Sequence, residues 1–307
     1  MGGDFAPEAT VKGAILAYNE MDTGDELVLI GDENIIRKLS AENNFNPDNF
    51  TIVHTTESIG MGEHPAKAYS QKPDSSIGTG FKLLRDSHID GFASAGNTGA
   101  MLVGAMYTVK SIPGVIRPSI TVSVPNGSDK PIILLDVGLN PDAKPDVLYQ
   151  YGILGSLYAK YVYEIDDPKV GLLNIGSEEE KGNLLTKATF QAMKGSLDFN
   201  FVGNVEGNDL FSYEKVNVIV CDGFVGNVML KEAEAFYILI KQLKLENPFF
   251  ERFNFENYGG TPILGINQTA IIGHGISNSV AIKNMILHTK KVTEAKLTEK
   301  IKEAFRE

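Results

Sequence analysis

The sequence predicts an α/β protein with a mostly parallel sheet wrapped by helices, and three observations support this prediction. Short apolar runs of the kind that form buried strands alternate with longer segments of helical spacing. Many of the 31 glycines stand at the ends of the apolar runs, where tight strand-to-helix turns are common. A chain of 307 residues is also long enough to bury a sizeable core.

The predicted elements follow from this alternation. Apolar runs bounded by turn residues predict strands at 26–30, 51–53, 91–94, 120–124, 132–135, 170–175, 200–202 and 216–220. Helical spacing predicts helices at 8–21, 34–42, 76–87, 99–111, 146–162, 181–194, 227–243 and 279–289, with a polar tail at 293–305. No fixed repeat and no Pro/Ser-rich linker divides the chain, so we expect one domain over residues 1–307, built as a unit or from two interleaved α/β subdomains.

Composition excludes several classes of protein. The content of 43% hydrophobic and 22% charged residues is that of a globular protein. The net charge of −11 argues against nucleic-acid binding through a diffuse basic surface. One cysteine, Cys221, and the lack of a signal segment or a spanning apolar run indicate a cytoplasmic protein. We expect Cys221 to be buried and inert, because it ends an apolar run with no nearby cation.

A small-residue loop, SAGNTG at 94–99, links a predicted strand to a predicted helix. Backbone N–H groups in such a loop can converge on an anion at the positive end of the helix dipole, so the loop is a candidate phosphate or oxyanion site. Asn97 and Thr98 are the leading donors, unless they merely cap the helix. Ser94, Gly96 and Gly99 complete the loop.

Further polar loops follow other predicted strands, and open α/β sheets bind ligands at that edge. Their candidate ligand-binding residues are Asp136, Asn140, Asn174, Asp222, Asn227 and Asn278. Lys181 is the cation of its loop, so it could neutralise an anionic ligand. His274 lies between glycines and could act as an acid or base. The other histidines show no metal spacing, and we expect neither a metal nor a cofactor.

Residues 228–257 form a helical hydrophobic excursion that ends in an aromatic cluster. Phe249, Phe250, Phe253 and Phe255 lie within seven residues. Such a cluster is most often a core-packing or dimer-interface hairpin. The alternative is contact with a membrane surface or a protein partner.

Eight motifs, taken in this order, resemble the bacterial phosphate acyltransferase family. They are MGGDFAP at 1–7, SAGNTG at 94–99, LLDVG at 134–138, LLNIG at 172–176, GNVEG at 203–207, CDGFVGN at 221–227, YGGTP at 258–262 and HGISN at 274–278. The resemblance implies a fold like isocitrate and isopropylmalate dehydrogenases, shared with phosphotransacetylases. It also leads us to expect an additional strand before residue 1, so that either the start lies upstream or the first central strand is missing.

The resemblance further implies an enzyme that converts long-chain acyl-acyl-carrier-protein and inorganic phosphate to acyl phosphate, the first step toward phosphatidic acid. Its expected partners are acyl carrier protein, phosphate and a second copy of the chain. Peripheral contact with the inner membrane face, or with a glycerol-3-phosphate acyltransferase, is expected through the aromatic cluster. Three alternatives stay open: a short-chain phosphotransacylase using coenzyme A, a decarboxylating dehydrogenase of the related fold, and a non-catalytic lipid- or carrier-binding scaffold.

Overall fold

The computed structural model describes residues 2–212 and 214–306, and helices alternate with strands throughout that part of the chain. The predicted α/β class is therefore confirmed. The strands are β1 (Val28–Gly31), β2 (Thr51–His54), β3 (Gly91–Ser94), β4 (Ser119–Val124), β5 (Ile132–Leu135), β6 (Lys169–Leu173), β7 (Asn200–Val205), β8 (Val218–Val220), β9 (Thr261–Leu264) and β10 (Thr269–Ile272). The helices are α1 (Glu8–Tyr18), α2 (Glu33–Glu42), α3 (Pro65–Gln71), α4 (Ser76–Arg85), α5 (Thr98–Gly104), α6 (Pro145–Tyr163), α7 (Leu184–Met193), α8 (Gly223–Gln242), α9 (Pro248–Glu251), α10 (Ser279–Glu294) and α11 (Leu297–Ala304).

The chain folds into two compact units whose sequences interleave. The first unit takes the chain up to Lys110, then Phe255–Pro262 and Ile266–Thr293. The second takes Ser111–Asn254, Ile263–Gly265 and the residues from Glu294 onward. The boundary falls within β9: Thr261 and Pro262 belong to the first unit, and Ile263 and Leu264 belong to the second.

The first unit contains two groups of paired strands. Strands β1 and β2 pair in parallel, and β10 pairs in parallel with β3 and antiparallel with the start of β9. A core cluster beside β1 includes Val11, Ile15 and Phe50. Ile272 of β10 lies opposite Ser94 of β3, so the carboxyl ends of these two strands are side by side. The loops that leave them consequently start as neighbours.

The second unit is built on a sheet with the strand order β9, β4, β5, β8, β6, β7. The four strands from β5 to β7 are parallel, whereas β4 runs antiparallel to both of its neighbours. Strands β5 and β8 are completely buried, and α6 packs against β5, β8 and β6. Val220 of β8 lies opposite Leu135 of β5 on one side and Leu172 of β6 on the other. Three strand ends therefore meet at one edge.

All eight predicted strands are present among the described residues, but the sequence prediction omits β9, β10, α3 and α9. Strands β9 and β10 are four residues each, and β9 carries Pro262, which is a poor strand signal. Helix α3 buries only Ala68, so it has no apolar face for a periodicity argument to detect. The predicted polar tail forms helix α11, which buries Leu297 and Ile301.

Two predicted helix starts are wrong because polar side chains cap the helices elsewhere. Helix α8 begins at Gly223 instead of residue 227, since Asp222 accepts hydrogen bonds from the N–H groups of Phe224 (3.0 Å) and Val225 (2.9 Å). Helix α7 begins after Asn183, whose side chain accepts from the N–H of Thr186 at 2.9 Å. Helix α5 ends at Gly104 and continues as a π-helical turn, Ala105–Val109. None of the described helices is long and apolar enough to cross a bilayer.

Candidate functional site

In the first unit, the 94–99 loop connects β3 to α5 as the sequence predicts. The N–H of Gly96 donates to Oγ of Ser94 at 3.1 Å, which fixes the start of the loop. Gly99 lies against α3, where an added Cβ would be 2.3 Å from Cγ of Pro65, so only glycine fits there. Thr98 is exposed at the first position of α5, and the first-turn N–H groups of a helix have no intrahelical acceptor. The loop can therefore present backbone donors to an anion.

Asn97 is 5% exposed, and its side chain is fully engaged by the protein. Its Oδ1 accepts from the N–H of Ala100 at 3.0 Å, so the alternative of a helix cap is confirmed. Its Nδ2 donates to the carbonyl oxygens of Gly60 (3.0 Å), Met61 (3.2 Å) and Glu63 (3.1 Å). The expectation that this amide donates to the substrate is corrected, because these bonds give it a positioning role.

The loop at residues 58–63 is held from a second direction by an ion pair. Lys72 donates to Oε1 of Glu63 at 2.6 Å and to the carbonyl oxygen of Ser58 at 2.9 Å. The same carboxylate oxygen accepts from the N–H of Gly60 at 2.6 Å. The hydrogen bond from Lys72 lowers the pKa of Glu63. The 58–63 loop is thus fastened both to Asn97 and to α3.

The segment that begins at Gly2 packs against two loops of the first unit. A Cβ on Gly2 would lie 2.9 Å from both the N atom of Gly96 and Oγ of Ser94. The N–H of Asp4 donates to the carbonyl oxygen of Gly275 at 2.7 Å. Asp4 is exposed and is a site candidate that the sequence analysis missed, although two preceding glycines marked a close approach. Met1, which begins this motif, lies outside the described residues.

The 274–278 loop leaves β10 beside the 94–99 loop, because the N–H of Gly273 donates to the carbonyl oxygen of Ser94 at 2.9 Å. The half-buried ring of His274 lies 5.0 Å from the ring of Phe255. Asn278 accepts from the N–H groups of Val280 and Ala281, both at 3.0 Å, and so caps α10. Its Nδ2 donates to Oε1 of Glu256 at 2.7 Å. Asn278 is therefore engaged in fixing the loop.

In the second unit, Asp136 follows β5 and is completely buried, with 0% exposure. Its carboxylate accepts from the N–H groups of Ile120 (3.2 Å), Leu139 (3.3 Å) and Asn140 (2.6 Å), and from Nδ2 of Asn140 (3.2 Å). Burial raises its pKa, which these hydrogen bonds partly offset. Because a completely buried side chain cannot touch a substrate, the expectation that Asp136 binds one is corrected to a positioning role.

The expectation that Asn140 binds the substrate is corrected in the same way. Its Nδ2 donates to the carbonyl oxygen of Pro118 at 2.8 Å and to the hydroxyl of Tyr151 at 2.7 Å. Only 7% of the residue is exposed. Asn140 therefore connects the loop after β5 to β4 and α6.

The turn after β8 lies directly against the loop after β5. The N–H of Gly223 donates to the carbonyl oxygen of Asn140 at 2.9 Å, and Nδ2 of Asn227 donates to the carbonyl oxygen of Val137 at 3.1 Å. A Cβ on Gly226 would lie 1.9 Å from the carbonyl oxygen of Asp136, so glycine is required there. Asp222 and Asn227 stay half-buried at this edge, as predicted site candidates with some access to solvent.

The loop after β6 carries Asn174 and Lys181. Nδ2 of Asn174 donates to the carbonyl oxygen of Lys181 at 3.1 Å, and its Oδ1 accepts from the N–H of Ile175 at 2.9 Å. These bonds close the loop on itself. The side chain of Lys181 is exposed, in contrast to the buried groups that follow β5. The loop therefore presents an exposed cation, and it is joined to β7, because Nδ2 of Asn204 donates to the carbonyl oxygen of Glu178 at 2.8 Å.

The structure thus divides the predicted site residues into two groups, one in each unit. The first unit holds Ser94, Gly96, Asn97, Thr98, Gly99, His274 and Asn278 on two adjacent loops. The second holds Asp136, Asn140, Asp222 and Asn227 in one interlocked pair of turns, with Asn174 and Lys181 on the loop that follows β6.

The structure also places the cysteine and the remaining histidines. Cys221 is buried as predicted, and burial raises the pKa of its thiol, which leaves it inert. His54 accepts from the N–H of Glu33 at 3.1 Å, and His64 and His88 are on the surface. Burial lowers the pKa of His288 to about 4. Among residues 2–212 and 214–306, no three His, Cys, Asp or Glu side chains are grouped as a metal site requires.

The aromatic cluster is half-buried instead of exposed. In the second unit, the ring of Phe249 lies 5.6 Å from that of Phe253 and 6.1 Å from that of Phe250. Phe253 also contacts Phe211 at 6.1 Å. Within residues 228–257, the exposed large apolar side chains lie on and just after α8, namely Val228, Phe236, Ile238, Leu239, Leu243 and Leu245. Helix α8 therefore presents an exposed apolar surface, whereas the four phenylalanines of the aromatic cluster do not.

Solved structures with this fold define its class. A phosphotransacetylase from Streptococcus pyogenes superposes with a TM-score of 0.70 at 16% identity, over 94% of this chain and 92% of that one. A branched-chain phosphotransacylase from Enterococcus faecalis superposes with a TM-score of 0.63 at 11% identity, over 95% and 96% of the two chains. The fold is that of the phosphotransacetylases, as predicted.

The sequence comparison then shows the family. The profile described as "Fatty acid synthesis protein" matches residues 1–300, and the chain belongs to that family. A phosphate acyltransferase from Dictyoglomus turgidum is 41% identical over 99% of this chain and 96% of that protein. The phosphate acyltransferase of Acetivibrio thermocellus is 42% identical over 99% of this chain and 94% of that protein.

Proposed function

We propose that this chain is a phosphate acyltransferase, which moves an acyl group from acyl carrier protein to inorganic phosphate. The observation that carries the proposal is the match to proteins of that name across 99% of the chain at 41% and 42% identity. The family description, which refers to fatty acid synthesis, supports an acyl substrate. The products are acyl phosphate and free carrier protein, and acyl phosphate is the first intermediate toward phosphatidic acid.

The reaction replaces a C–S bond by a C–O bond. An oxygen of hydrogen phosphate attacks the thioester carbonyl, and the tetrahedral intermediate expels the carrier's thiolate. The proton of the phosphate hydroxyl then passes to that thiolate, so atoms and charge balance. The site must bind the dianion, stabilise the developing oxyanion and limit access of water.

In the first unit, the 94–99 loop is the proposed anion site. Thr98 and the first-turn N–H groups of α5 donate to phosphate or to the oxyanion. Asn97 fixes the geometry of these donors through the cap and the 58–63 loop. His274, half-buried on the adjacent loop, is the proposed proton carrier to the leaving sulfur.

In the second unit, Lys181 is the proposed cation for phosphate, because it is exposed on the loop after β6, the strand next to β8. Asp222 and Asn227 line the adjacent turn and orient the substrate. Asp136, Asn140 and Asn174 keep these loops in place without contacting the substrate.

The test is thiol release from palmitoyl-acyl-carrier-protein and from acetyl-coenzyme A, each with and without inorganic phosphate. The proposal predicts phosphate-dependent release from the carrier. Release from acetyl-coenzyme A alone would move the assignment to a short-chain phosphotransacylase. Binding of the carrier without any release would indicate a scaffold.

We further propose that the chain forms a homodimer and contacts a membrane surface or a glycerol-3-phosphate acyltransferase through α8. The exposed side chains of Phe236, Ile238, Leu239, Leu243 and Leu245 support this use of the helix better than the half-buried phenylalanines of the aromatic cluster do. Light scattering and flotation with anionic vesicles test it. Replacement of Phe236 and Leu239 by serine should reduce dimerisation or flotation, whereas Phe253→Ser should act through stability alone.

A further inference from the structure

Two exposed apolar side chains lie on the loops next to the 94–99 loop in the first unit. Met61 is 43% exposed at the tip of the 58–63 loop, and Ile276 is 56% exposed on the 274–278 loop. Phe5, which follows Asp4, is 54% exposed. All three belong to segments that are hydrogen-bonded to the glycine loop or to its neighbour. Apolar side chains are thus placed around a polar site that otherwise uses amides and glycines.

The backbone of Met61 is held in position by the side chain of Asn97. The carbonyl oxygen of Met61 and those of Gly60 and Glu63 all accept from Nδ2 of Asn97, the residue that caps α5. Its location is therefore tied to the geometry of the proposed anion site. A methionine on a free loop would have no such connection.

The side chain of Met61 occupies space that Gly275 leaves open. A Cβ on Gly275 would lie 2.6 Å from Cε of Met61, while the next nearest atoms, the carboxylate oxygens of Asp4, would be 3.6 and 3.8 Å away. The glycine thus accommodates the methionine methyl and little else. The contact joins the 58–63 loop to the 274–278 loop, which carries both His274 and Ile276.

From this arrangement we propose that Met61 and Ile276 form the surface on which the acyl chain lies as it leaves the reacting carbonyl, and that Met61 sets the preference for chain length. The inference rests on the proposed acyl transfer to phosphate. An acyl carbonyl at the 94–99 loop must send its alkyl chain across an adjacent surface, and these side chains supply the apolar part of it. Each methylene buried there favours the longer substrate.

The experiment compares kcat/KM for palmitoyl and butyryl thioesters on the same carrier protein, at saturating phosphate. Met61→Gln, which keeps the length of the side chain but makes it polar, should lower the palmitoyl-to-butyryl ratio by about tenfold. Met61→Leu should restore most of the ratio. Met106→Gln changes a methionine of similar exposure on the π-helical turn and should keep the wild-type ratio.

Gly275→Ala offers a second route to the same contact. The added methyl displaces Cε of Met61, so it should lower the ratio in the wild-type background and have no further effect in a Met61→Ala background. A folded Met61→Gln protein with the wild-type ratio would overturn the proposal while leaving acyl transfer intact. Absence of phosphate-dependent release from both thioesters with the wild-type protein would overturn the proposed function as well.

Discussion

The two units fix the loops after their strands in opposite ways. In the first unit, Asn97 donates to three carbonyl oxygens of a loop more than thirty positions earlier in the chain. In the second, Asp136 accepts from three backbone N–H groups, two of them in its own loop. At the start of α5 the Asn97 side chain accepts only from the N–H of Ala100, whereas the Asp136 carboxylate accepts from two N–H groups of its own loop.

This difference indicates where an anion can bind. The first unit offers backbone donors at Thr98 and Gly99 without a nearby buried negative charge. The second unit carries a buried carboxylate, so an anion there needs a cation, and Lys181 on the neighbouring loop is the candidate. We therefore propose that the same position in an α/β sheet serves for binding in the first unit and for support in the second, depending on the residue that follows the strand.

The largest expected effect is on folding. Asp136→Ala leaves the N–H groups of Ile120, Leu139 and Asn140 buried without an acceptor, so it should cost about 3 kcal/mol or more. In thermal unfolding of a chain of 307 residues this corresponds to a decrease in Tm of roughly 5 °C. A variant with the wild-type Tm would show that Asp136 does not organise the second unit.

Lys181→Ala should affect catalysis and not folding. Loss of the exposed cation should lower kcat/KM for phosphate by about a hundredfold. Lys181→Arg should retain most of the activity, and Lys187→Ala, an exposed lysine on the following helix, should be a neutral control. Equal activity of the Lys181→Ala and Lys187→Ala proteins would remove Lys181 from the site.

The side chain of Asn97 has two roles in the first unit: its oxygen caps α5 and its amide N–H groups hold the 58–63 loop. Two substitutions separate these roles. Asn97→Ser keeps a capping oxygen but loses the amide donors, so it should release the 58–63 loop and lower turnover by about tenfold. Asn97→Ala also loses the cap and should cost about 1 kcal/mol more in stability. If Asn97→Ser has full turnover, the hydrogen bonds to the 58–63 loop are irrelevant to catalysis.

The smallest expected effect is a pH dependence of stability that arises from Asp136 in the second unit. Burial raises the pKa of Asp136 above 3.8, its value in an unfolded chain, so this group stabilises the fold at low pH and loses that contribution as pH rises through the higher folded value. The amide introduced by Asp136→Asn does not titrate. The stability of the wild type relative to the Asp136→Asn protein should therefore decrease as the pH rises above about 4, as measured by denaturant unfolding. An increase over that range would contradict a raised pKa.

Much of the fold was accessible from the sequence because its signals are local. Strand β5 is a run of four buried apolar residues, and Asp222 and Asn183 are ordinary helix caps once the helix starts are known. Strands β9 and β10 were missed because they are short and depend on pairing with distant strands. Their stability comes from the sheet, not from their own sequence.

The roles of the site residues were less accessible, since polar residues that follow strands look alike in a sequence. Asn97 and Asp136 both mark loops at the ends of strands, and both were assigned to ligand contact. Their burial depends on the 58–63 loop in one case and on β4 in the other, through contacts 34 to 37 and 16 positions away in the chain. Residue spacing alone does not reveal such contacts.

The central claim is that phosphate itself takes the acyl group from the carrier. The most direct measurement mixes the wild-type protein with palmitoyl-acyl-carrier-protein and labelled inorganic phosphate, and follows free thiol and labelled acyl phosphate together. We predict one labelled acyl phosphate for each thiol released, and no thiol in the absence of phosphate. Thiol release at the same rate without phosphate, or with no label in an acyl phosphate, would contradict the account.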